Sequence, residues 1–536
     1  MTLANILAAV VGLALLVRIA YSWMMPKPIP KIPHNLITSV WGDIPAIVKY
    51  NKEGRYTVDF IDDMAKMHSP ITQILIGRQA MVIISDIREA ERLLIDSRVT
   101  EQAKRVRQAF AGVSPNSQVS LPTDEAWKRH RRLAGPSMSK RYLQRMSSRI
   151  SAGAVDLIKL WKAKMDLAGP SAFDASIDIQ LSTMDTMGDI TMGSSFGCIE
   201  ATQAALPTNC IQSGHIMDFP RPSLPPLHQS ICAMGESIDA AMKAPFPSLH
   251  AQLVKYTSPS WRKQYNILST FLKNAIAEAR ERENTAGNKE VGLATDADCV
   301  LDMIIQREIR DGAEAFGEDA IHDELMSFIF AGQDTSTAVL RWLVKHLAAD
   351  PEIQRRLHNE MVTVFGPDEG FHEPLDFNLL DDSEQVPLLE AVVAETLRWA
   401  GVGAQIAREL LQDEIILGRH VPKGTDVVFA TALMSRDKTE WGPDADEWQP
   451  TRWLAPDGAF NRSAGPSYPF GLGQRACFGQ RLAVLELKAY VATMSRHFFF
   501  KSIPQDIENW QVKVESFAKQ PKFCHVSLED WTGKQA

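Results

Sequence analysis

A single cysteine, Cys477, lies in a loop that three glycines interrupt, and an apolar helical run follows it. Residues 469–479 read Pro-Phe-Gly-Leu-Gly-Gln-Arg-Ala-Cys-Phe-Gly, which places Arg475 two positions before the cysteine. Glycines let the backbone approach a flat partner and adopt conformations that a side chain forbids. Because the thiol lies beside a cation and just before a helix, we expect it to be held deprotonated. A lone thiolate of this kind is an axial ligand that favours O–O bond cleavage at a haem iron, because it pushes electron density onto the iron.

A second group of polar residues interrupts a long apolar helical run. Residues 328–337 read Phe-Ile-Phe-Ala-Gly-Gln-Asp-Thr-Ser-Thr, so Gly332, Asp334 and Thr335 lie in its middle. An acid, a hydroxyl and a glycine cost stability inside an apolar helix unless they serve a purpose. We expect Gly332 to open room against a flat cofactor, and Thr335 to bond back to a helix carbonyl. The alternative is a polar patch on the surface face of the helix.

These motifs resemble the cytochrome P450 family, of the microsomal type and fungal-like. The pattern Phe-Gly-x-Gly-x-Arg-x-Cys-x-Gly matches the family's haem-binding loop at six fixed residues over ten positions. The resemblance implies haem b as the cofactor, with Cys477 as the iron ligand, and Asp334–Thr335 as the acid–alcohol pair that relays protons. A structural ion triad is implied for Glu395, Arg398 and Arg452. Contacts to the haem and its propionates are implied for Trp127, Arg131, Arg408, Arg475, Phe470 and Gly471.

The sequence departs from the family pattern at one place and leaves two alternatives open. Gly401 stands where the family usually has a proline after the triad arginine, so we expect a looser loop over residues 401–407. A buried structural thiol is the alternative for Cys477. Arg131 could be a solvated surface cation, and the basic residues around it could face a redox partner.

Substrate contacts are expected from Phe328, Ala331, Val402, Ala404, Gln405 and Ile406.

Composition is that of an ordinary globular protein of 536 residues, with 45% apolar and 23% charged residues. A formal net charge of −8 argues against nucleic-acid binding, which requires a basic surface. The six cysteines have no paired spacing, which is typical of a reducing compartment.

The N-terminus differs from the rest of the chain. Residues 3–25 are almost entirely apolar, and the aromatic residues Tyr21 and Trp23 lie near one end of the run. The positive residues follow the run rather than precede it, which predicts that the bulk of the chain faces the cytosol. A buried soluble helix is the alternative. Four prolines within residues 26–33 predict a semi-rigid spacer.

The elements that must position the candidate site are mostly helical. Strands are predicted at 72–77 and 80–85 and again within 413–430 and 522–529, and helices dominate from about 86 to 365. The longest predicted helix runs from about Ala320 to Asp350, and residues 282–298 form a surface loop. The predicted class is therefore mainly α with a small β component (α+β), with the P450 fold implied by the resemblance. We predict a transmembrane anchor at 3–25, a proline-rich hinge at 26–36 and a catalytic domain at 37–536.

The resemblance implies a membrane-anchored haem-thiolate monooxygenase of the endoplasmic reticulum, single-pass, with a cytosolic catalytic domain. Its expected partners are O2, an NADPH-dependent cytochrome P450 reductase, cytochrome b5 as a second candidate donor, membrane lipid and an apolar small-molecule substrate. Few charges at the substrate positions favour a terpenoid or polyketide-like compound of secondary metabolism. Two rival functions are a reductase-independent haem-thiolate isomerase or dehydratase, which the Asp334–Thr335 pair disfavours, and a non-catalytic haem-binding protein.

Overall fold

The computed structural model describes residues 3–96, 98–207, 211–213, 215–286, 299–310, 317–367, 375–504, 507, 510–515 and 518–531. Most of these residues are helical, and short strands make up the remainder of the regular structure. The chain divides into two compact units. The first unit combines residues 1–104, 404–435 and 471–476, and the second combines residues 105–403, 436–470 and 477–536. The predicted class, mainly α with a small β component, is confirmed, and the region predicted as one catalytic domain is shared by both units.

Some helices follow one another directly along the chain, and others are separated by strands or irregular segments. In order they are α1 (Leu3–Met24), α2 (Ile44–Lys52), α3 (Thr57–His68), α4 (Ile87–Ile95), α5 (Lys104–Phe110), α6 (Glu125–Ala134), α7 (Lys140–Ala168), α8 (Ser176–Met192), α9 (Cys198–Ala204), α10 (Pro226–Lys243), α11 (Pro247–Thr257), α12 (Pro259–Ala286), α13 (Val300–Arg310), α14 (Glu318–Ala349), α15 (Pro351–Phe365), α16 (Phe377–Leu380), α17 (Pro387–Ala400), α18 (Thr431–Met434), α19 (Lys438–Trp441) and α20 (Gln480–His497). Among the described residues, a first 3-10 helix lies at Gly135–Met138 and a second at Pro450–Trp453.

The strands are short and most belong to two-stranded pairs. In order they are β1 (Ile71–Ile76), β2 (Gln79–Ile84), β3 (Thr100–Gln102), β4 (Phe173–Asp174), β5 (Ile211–Ser213), β6 (Ile216–Asp218), β7 (Ile406–Leu410), β8 (Glu414–Ile416), β9 (Arg419–Val421), β10 (Asp426–Phe429), β11 (Phe498–Phe500), β12 (Val512–Glu515), β13 (Ala518–Pro521), β14 (His525–Val526) and β15 (Leu528–Asp530). The pairs are β4–β14, β5–β6, β8–β9, β11–β15 and β12–β13.

The first unit is built on a five-stranded sheet with the strand order β1-β2-β10-β7-β3. β1 and β2 pair antiparallel, β10 pairs parallel with β2, and β10 pairs antiparallel with β7. Branched apolar side chains suit such a half-buried surface. Ile74, Ile83 and Val428 accordingly pack with Phe60 and Met64 of α3 in one buried cluster.

The central helix of the second unit is α14, which packs against α8, α12, α17 and α20. Its approach to α8 requires a glycine, because a Cβ atom at Gly332 would lie 2.5 Å from Sδ and Cε of Met187. The expectation that Gly332 opens room against a cofactor is therefore wrong. The missing side chain allows the two helices to pack closely.

Most predicted elements lie within a few residues of the observed ones. The two predicted strands correspond to β1 and β2, each one residue earlier, and the long predicted helix corresponds to α14. The loop predicted at 282–298 is wrong at its start, where α12 continues to Ala286, and its residues 287–298 lie outside the described residues.

The predicted anchor falls on α1, and the predicted hinge follows it. Among the residues that the structure describes, no helix is long and apolar enough to cross a membrane. The hinge is attached to the rest of the first unit by several hydrogen bonds, three of which involve the side chain of Gln73. Gln73 Nε2 donates to the carbonyl oxygens of Ile29 and Ile32 at 2.8 and 2.9 Å, and its Oε1 accepts from the Ile29 N–H at 2.8 Å. The prolines thus belong to a segment that is fixed against β1.

Candidate active site

Cys477 belongs to the second unit and lies three residues before α20 begins. Its backbone N–H donates to the carbonyl oxygen of Phe470 at 2.8 Å. Cys477 is exposed, whereas the other described cysteines are buried or half-buried. Its thiol is therefore accessible to a ligand, which argues against the alternative of a buried structural cysteine.

Three influences act on the Cys477 thiol, and burial is the strongest. Burial raises its pKa, whereas the Gly479 backbone N–H and the positive charge of Arg131 lower it. The net pKa is raised, so the expectation that positive surroundings alone keep this thiol deprotonated is wrong. The thiol surface is thus accessible, and protein atoms around it still disfavour its charged form. A coordinated metal ion removes the proton from such a thiol by its own charge.

Arg131 is held beside the thiol loop by two aromatic rings. Helix α6 begins after Asp124, whose carboxylate accepts from the Trp127 N–H at 3.0 Å. The Arg131 guanidinium lies 4.7 Å from the ring centroid of Phe478 and 5.2 Å from that of Trp127. The Phe478 ring in turn meets the Phe328 ring of α14 edge-on at 5.7 Å. Helix α6, the thiol loop and α14 therefore come together at Phe478.

Helix α14 presents an accessible stripe in its otherwise buried middle. Ala331 and Thr335 are exposed, and Phe328 and Asp334 are half-buried. Residues 328, 331 and 335 share one face by their spacing. Thr335 Oγ1 donates to the Ala331 carbonyl at 2.8 Å, as expected from the sequence. Because this bond uses the hydroxyl proton, the lone pairs of Oγ1 can accept a hydrogen bond from the open side.

The first unit contributes two arginines that lie close together. Arg408 Nη2 donates to the Arg475 carbonyl at 3.2 Å, and Arg408 Nη1 donates to Gln102 Oε1 at 3.0 Å. The Arg475 guanidinium pairs with Glu101 at 2.9 Å. Burial, and then the charge of Arg475, lower the pKa of Arg408 to about 10. An additional anion beside this pair would relieve the repulsion, which suits a propionate group.

The glycines of the loop have different roles. Gly471 and Gly473 adopt positive φ angles of 70° and 72°. A Cβ at Gly473 would also lie 2.1 Å from the Leu94 carbonyl oxygen. Gly479 has a φ of −83°, and no atom lies within 4 Å of a Cβ built there. Backbone conformation and close approach therefore require glycine at 473 but not at 479.

The three residues of the predicted ion triad meet in the second unit. Arg398 Nε and Nη2 donate to the two carboxylate oxygens of Glu395 at 2.7 and 2.8 Å, and Arg452 Nε donates to Glu395 at 3.1 Å. The side chains of Glu395 and Arg398 have no exposed surface. Trp453 Nε1 and the Gln449 N–H donate to the same carboxylate at 2.9 and 2.8 Å.

The two triad arginines also bind backbone carbonyls of the segment that precedes the second 3-10 helix. Arg398 donates to the carbonyls of Ala445 and Glu447 at 2.8 and 3.0 Å, and Arg452 donates to that of Asp444 at 3.1 Å. Together they attach residues 444–453 to α17. The triad therefore holds this segment in place.

The donor groups of the second unit fit a haem: the accessible thiol matches an axial ligand, Arg131 suits a carboxylate group, and the stripe on α14 is open. Taken by itself, the arginine pair of the first unit also suits carboxylate groups. The model of the cytochrome P450 family matches residues 42–527 of this chain. The chain belongs to the cytochrome P450 family.

Named P450s resemble this chain over nearly its whole length. Cytochrome P450 monooxygenase TRI13 of Fusarium sporotrichioides is 26% identical over 95% of this chain and 96% of its own. Cytochrome P450 monooxygenase GME11363 of Pestalotiopsis microspora is 27% identical over 94% of both chains. An animal relative, cytochrome P450 4V2 of Rattus norvegicus, is 26% identical over 91% of this chain and 87% of its own. Like these relatives, the protein is a cytochrome P450 monooxygenase.

The unusual glycine of this P450 ends the triad helix. α17 stops at Ala400, and Gly401 follows in the left-handed region with φ 51° and ψ 45°. A glycine in this conformation is a common helix C-terminus, so it stops the helix in place of the proline that the family usually has. Val402 is half-buried, and its carbonyl accepts from the Lys519 N–H at 3.3 Å.

The remaining predicted substrate residues belong to the first unit, where two of them are otherwise engaged. Ala404 is only 3% exposed, which leaves little side-chain surface for a substrate. Gln405 Nε2 donates to the Val58 carbonyl and to Asp62 of α3 at 3.1 and 3.3 Å. Ile406 is half-buried and pairs with Phe429. Both residues serve the packing of the first unit, and the substrate contacts of Ala404 and Gln405 stay predictions.

Sequence reasoning missed three buried polar residues of the second unit, which are Glu486, Gln118 and Glu324. Glu486 of α20 accepts from Ser336 of α14 at 2.5 Å, and burial raises its pKa to about 7. Gln118 and Glu324 lie beside Arg131. An acid within the apolar run of α20 was a usable signal for Glu486, whereas Gln118 lies in an irregular segment with no recognisable pattern.

Proposed function

We propose that this P450 oxidises an apolar organic substrate with O2 and with electrons from an NADPH-dependent cytochrome P450 reductase. The observation that carries the proposal is the accessible thiol of Cys477 beside the accessible stripe of α14, joined through Phe478. When bound, the haem supplies the iron at which O2 is activated. The residues of the chain bind this group, place the substrate and deliver protons.

The chain offers a complete set of groups for haem binding. Cys477 would ligate the iron, and Arg131 would face a propionate from the second unit. For Arg408 and Arg475 of the first unit, propionate binding stays a proposal that rests on the family resemblance and on the match between a guanidinium fork and a carboxylate. Trp127, Phe470 and Gly471 are proposed as further contacts.

Protons are proposed to pass through Asp334 and Thr335. Two protons are taken up when one oxygen atom leaves as water. The Thr335 hydroxyl donates to Ala331, so it can accept a hydrogen bond from a group on the open side. Asp334 is adjacent and half-buried, which suits exchange of protons with solvent.

This assignment is tested with Thr335→Ala, using Thr335→Ser as the matched control. We expect Thr335→Ala to lower the product formed per NADPH consumed at least about tenfold, with hydrogen peroxide released instead. Thr335→Ser keeps the hydroxyl and should keep the coupling. Equal coupling in all three proteins would contradict the proposed relay.

An apolar substrate is supported by the stripe itself. Phe328 and Ala331 share a helix face with Thr335, and neither carries a charge. On this absence of charge we propose a terpenoid or polyketide-like compound of secondary metabolism as the substrate. Spectral titration with neutral terpenoids and polyketides, compared with carboxylic acids of equal size, tests this class. Preferential binding of the acids would refute it.

Attachment to the endoplasmic reticulum membrane is proposed on two features. The first is a feature of the sequence: the apolar run at residues 3–25 is proposed as a single-pass anchor, with the catalytic region in the cytosol. In the second unit, four large apolar side chains lie on one face of α11 or just before it, and all are exposed. They are Phe246 (69%), Leu249 (54%), Leu253 (54%) and Tyr256 (74%). Such a face suits burial in a membrane surface.

Vesicle flotation separates the two features. We expect a variant without residues 1–25 to float with phospholipid vesicles, and Leu249→Asp with Leu253→Asp to abolish the flotation. Lys255→Asp, on the same helix, adds an acid outside the apolar face and is the control. Flotation that depends only on residues 1–25 would contradict a role for α11.

A basic surface is proposed for the electron donor, either the reductase or cytochrome b5. Lys128, Arg132 and Arg481 are exposed in the second unit. Charge complementarity mainly accelerates encounter, and salt screens it. We therefore expect reductase-supported turnover to fall with ionic strength, and Arg132→Glu with Arg481→Glu to remove most of that dependence. Turnover that is insensitive to salt in the unaltered protein would contradict the proposal.

The monooxygenase proposal as a whole is tested by reconstitution with reductase. Product should require NADPH, reductase and O2 together, and one oxygen atom of the product should come from 18O2. Rearrangement of a hydroperoxide without NADPH or reductase would instead indicate the isomerase function.

A further inference from the structure

A buried carboxylate on α14 holds the segment that precedes α6. Glu324 is 2% exposed. Its Oε1 accepts from the Gln118 backbone N–H at 2.7 Å, and its Oε2 accepts from Gln118 Nε2 at 3.1 Å. The ring nitrogen Nδ1 of His130 lies 2.5 Å from Oε1. Gln118 is thus attached to α14 by its backbone and its side chain.

The other end of the Gln118 side chain contacts the arginine of the proposed haem site. Arg131 Nη1 donates to Gln118 Oε1 at 3.3 Å. Because a carboxylate only accepts and a guanidinium only donates, the Gln118 amide has one orientation that satisfies both neighbours. Glu324 therefore fixes Gln118, and Gln118 directs one edge of the Arg131 guanidinium.

The face of the same guanidinium is fixed by aromatic rings. It lies over Phe478, the residue after Cys477, and over Trp127 of its own helix. An amide at one edge and two rings restrict the guanidinium to one position. An arginine that is ordered before binding loses less conformational freedom when it binds an anion.

We propose that Gln118 and Glu324 are positioning residues that orient Arg131 toward a haem propionate and thereby slow the loss of the haem. This inference rests on the proposed haem site. Neither residue is assigned a contact with the haem, and both act through Arg131. Outer residues of this kind typically change cofactor affinity tenfold or more.

The test measures the rate at which the purified haem-loaded enzyme loses haem to excess apomyoglobin. We expect Gln118→Ala and Glu324→Gln each to raise that rate about tenfold. Asp323→Asn is the matched control. Asp323 is 3% exposed on the same helix and holds the same segment, but its bonds run to the Asn116 N–H and Nδ2 at 2.7 and 2.9 Å. The control should lose haem as slowly as the unaltered enzyme.

A double-mutant cycle asks whether Gln118 acts through Arg131. In an Arg131→Lys background, Gln118→Ala should add nothing to the rate of haem loss, because the directed group is gone. Full additivity would overturn the inference. If Glu324→Gln fails to fold, Gln118→Ala alone decides, since it removes only a neutral amide. An unaltered enzyme without haem would overturn the proposed function, whereas a haem-loaded Gln118→Ala enzyme with an unchanged rate would overturn only this inference.

Discussion

Mild acid is predicted to destabilise this P450 through one buried histidine, His346 of α14. Its ring stacks on Trp448 with a centroid distance of 5.0 Å and meets Trp399 nearly at right angles at 4.3 Å. Burial, assisted by the positive charges of Arg436 and Lys345, lowers its pKa from 6.5 to about 3. The folded protein therefore keeps this ring neutral at pH values where an unfolded chain protonates it.

The sign and the size of the effect follow from this difference. Between about pH 6.5 and pH 3 the unfolded state binds one more proton at His346 than the folded state, so the free energy of unfolding falls as the pH falls. A pH of 5 is about 1.5 units below the pKa of the ring in the unfolded chain. The free energy of unfolding is therefore about 2 kcal/mol smaller at pH 5 than at pH 7. Glu486 acts in the opposite direction, because its raised pKa of about 7 favours the folded state as the pH falls toward 4.5.

A comparison of variants isolates the contribution of His346 from such other groups. His346→Phe keeps an aromatic ring between the tryptophans and does not titrate. Urea titrations followed by tryptophan fluorescence at pH 7 and pH 5 give the change in unfolding free energy for each protein. We expect the unaltered protein to lose about 2 kcal/mol more than the variant between the two pH values. Equal losses would refute the assignment of a neutral, buried His346.

Three further predictions concern packing around the site. Gly473→Ala should prevent haem loading, because its Cβ would lie 2.1 Å from the Leu94 carbonyl oxygen and its φ of 72° disfavours a side chain. Gly479→Ala should load haem normally, and equal haem-to-protein ratios in the two variants would contradict this prediction. Glu395→Gln leaves the buried arginine of the triad without its ion pair, so it should cost about 3–5 kcal/mol and yield little haem-loaded protein; a normal yield and melting temperature would argue against the triad. Gly332→Ala should cost about 1–3 kcal/mol by thermal denaturation, and the same substitution should cost much less in a Met187→Ala background; an equal cost in both backgrounds would contradict the proposed contact with α8.

The parts of the site that could be predicted from sequence are those with local patterns. The glycine-rich loop around Cys477, the helical pair Glu395 and Arg398, and the polar interruption at Thr335 each lie within a few neighbouring residues. A helix or a tight loop converts such short spacings directly into geometry. The hydrogen bond from Thr335 to Ala331 was accordingly expected and is observed.

The parts that could not be predicted depend on partners far away in the chain. Gly332 faces Met187 rather than an open space, and Gln118 is joined to Glu324, 206 residues later. Ala404 was expected to contact the substrate but is buried. It lies just before β7, so its surroundings depend on how that strand joins the five-stranded sheet. The raised pKa of Cys477 was missed for the same reason. Burial is a property of the whole fold, and it outweighs the nearby charge.

The central claim is that Cys477 provides the thiolate ligand of a haem. The most direct measurement is the carbon monoxide difference spectrum of the dithionite-reduced protein, recorded beside a Cys477→Ser variant. We predict a Soret band at the red-shifted position of thiolate-ligated haem, and its loss in the variant. A band at the position of histidine-ligated haem, or an unchanged thiolate band in Cys477→Ser, would contradict the assignment.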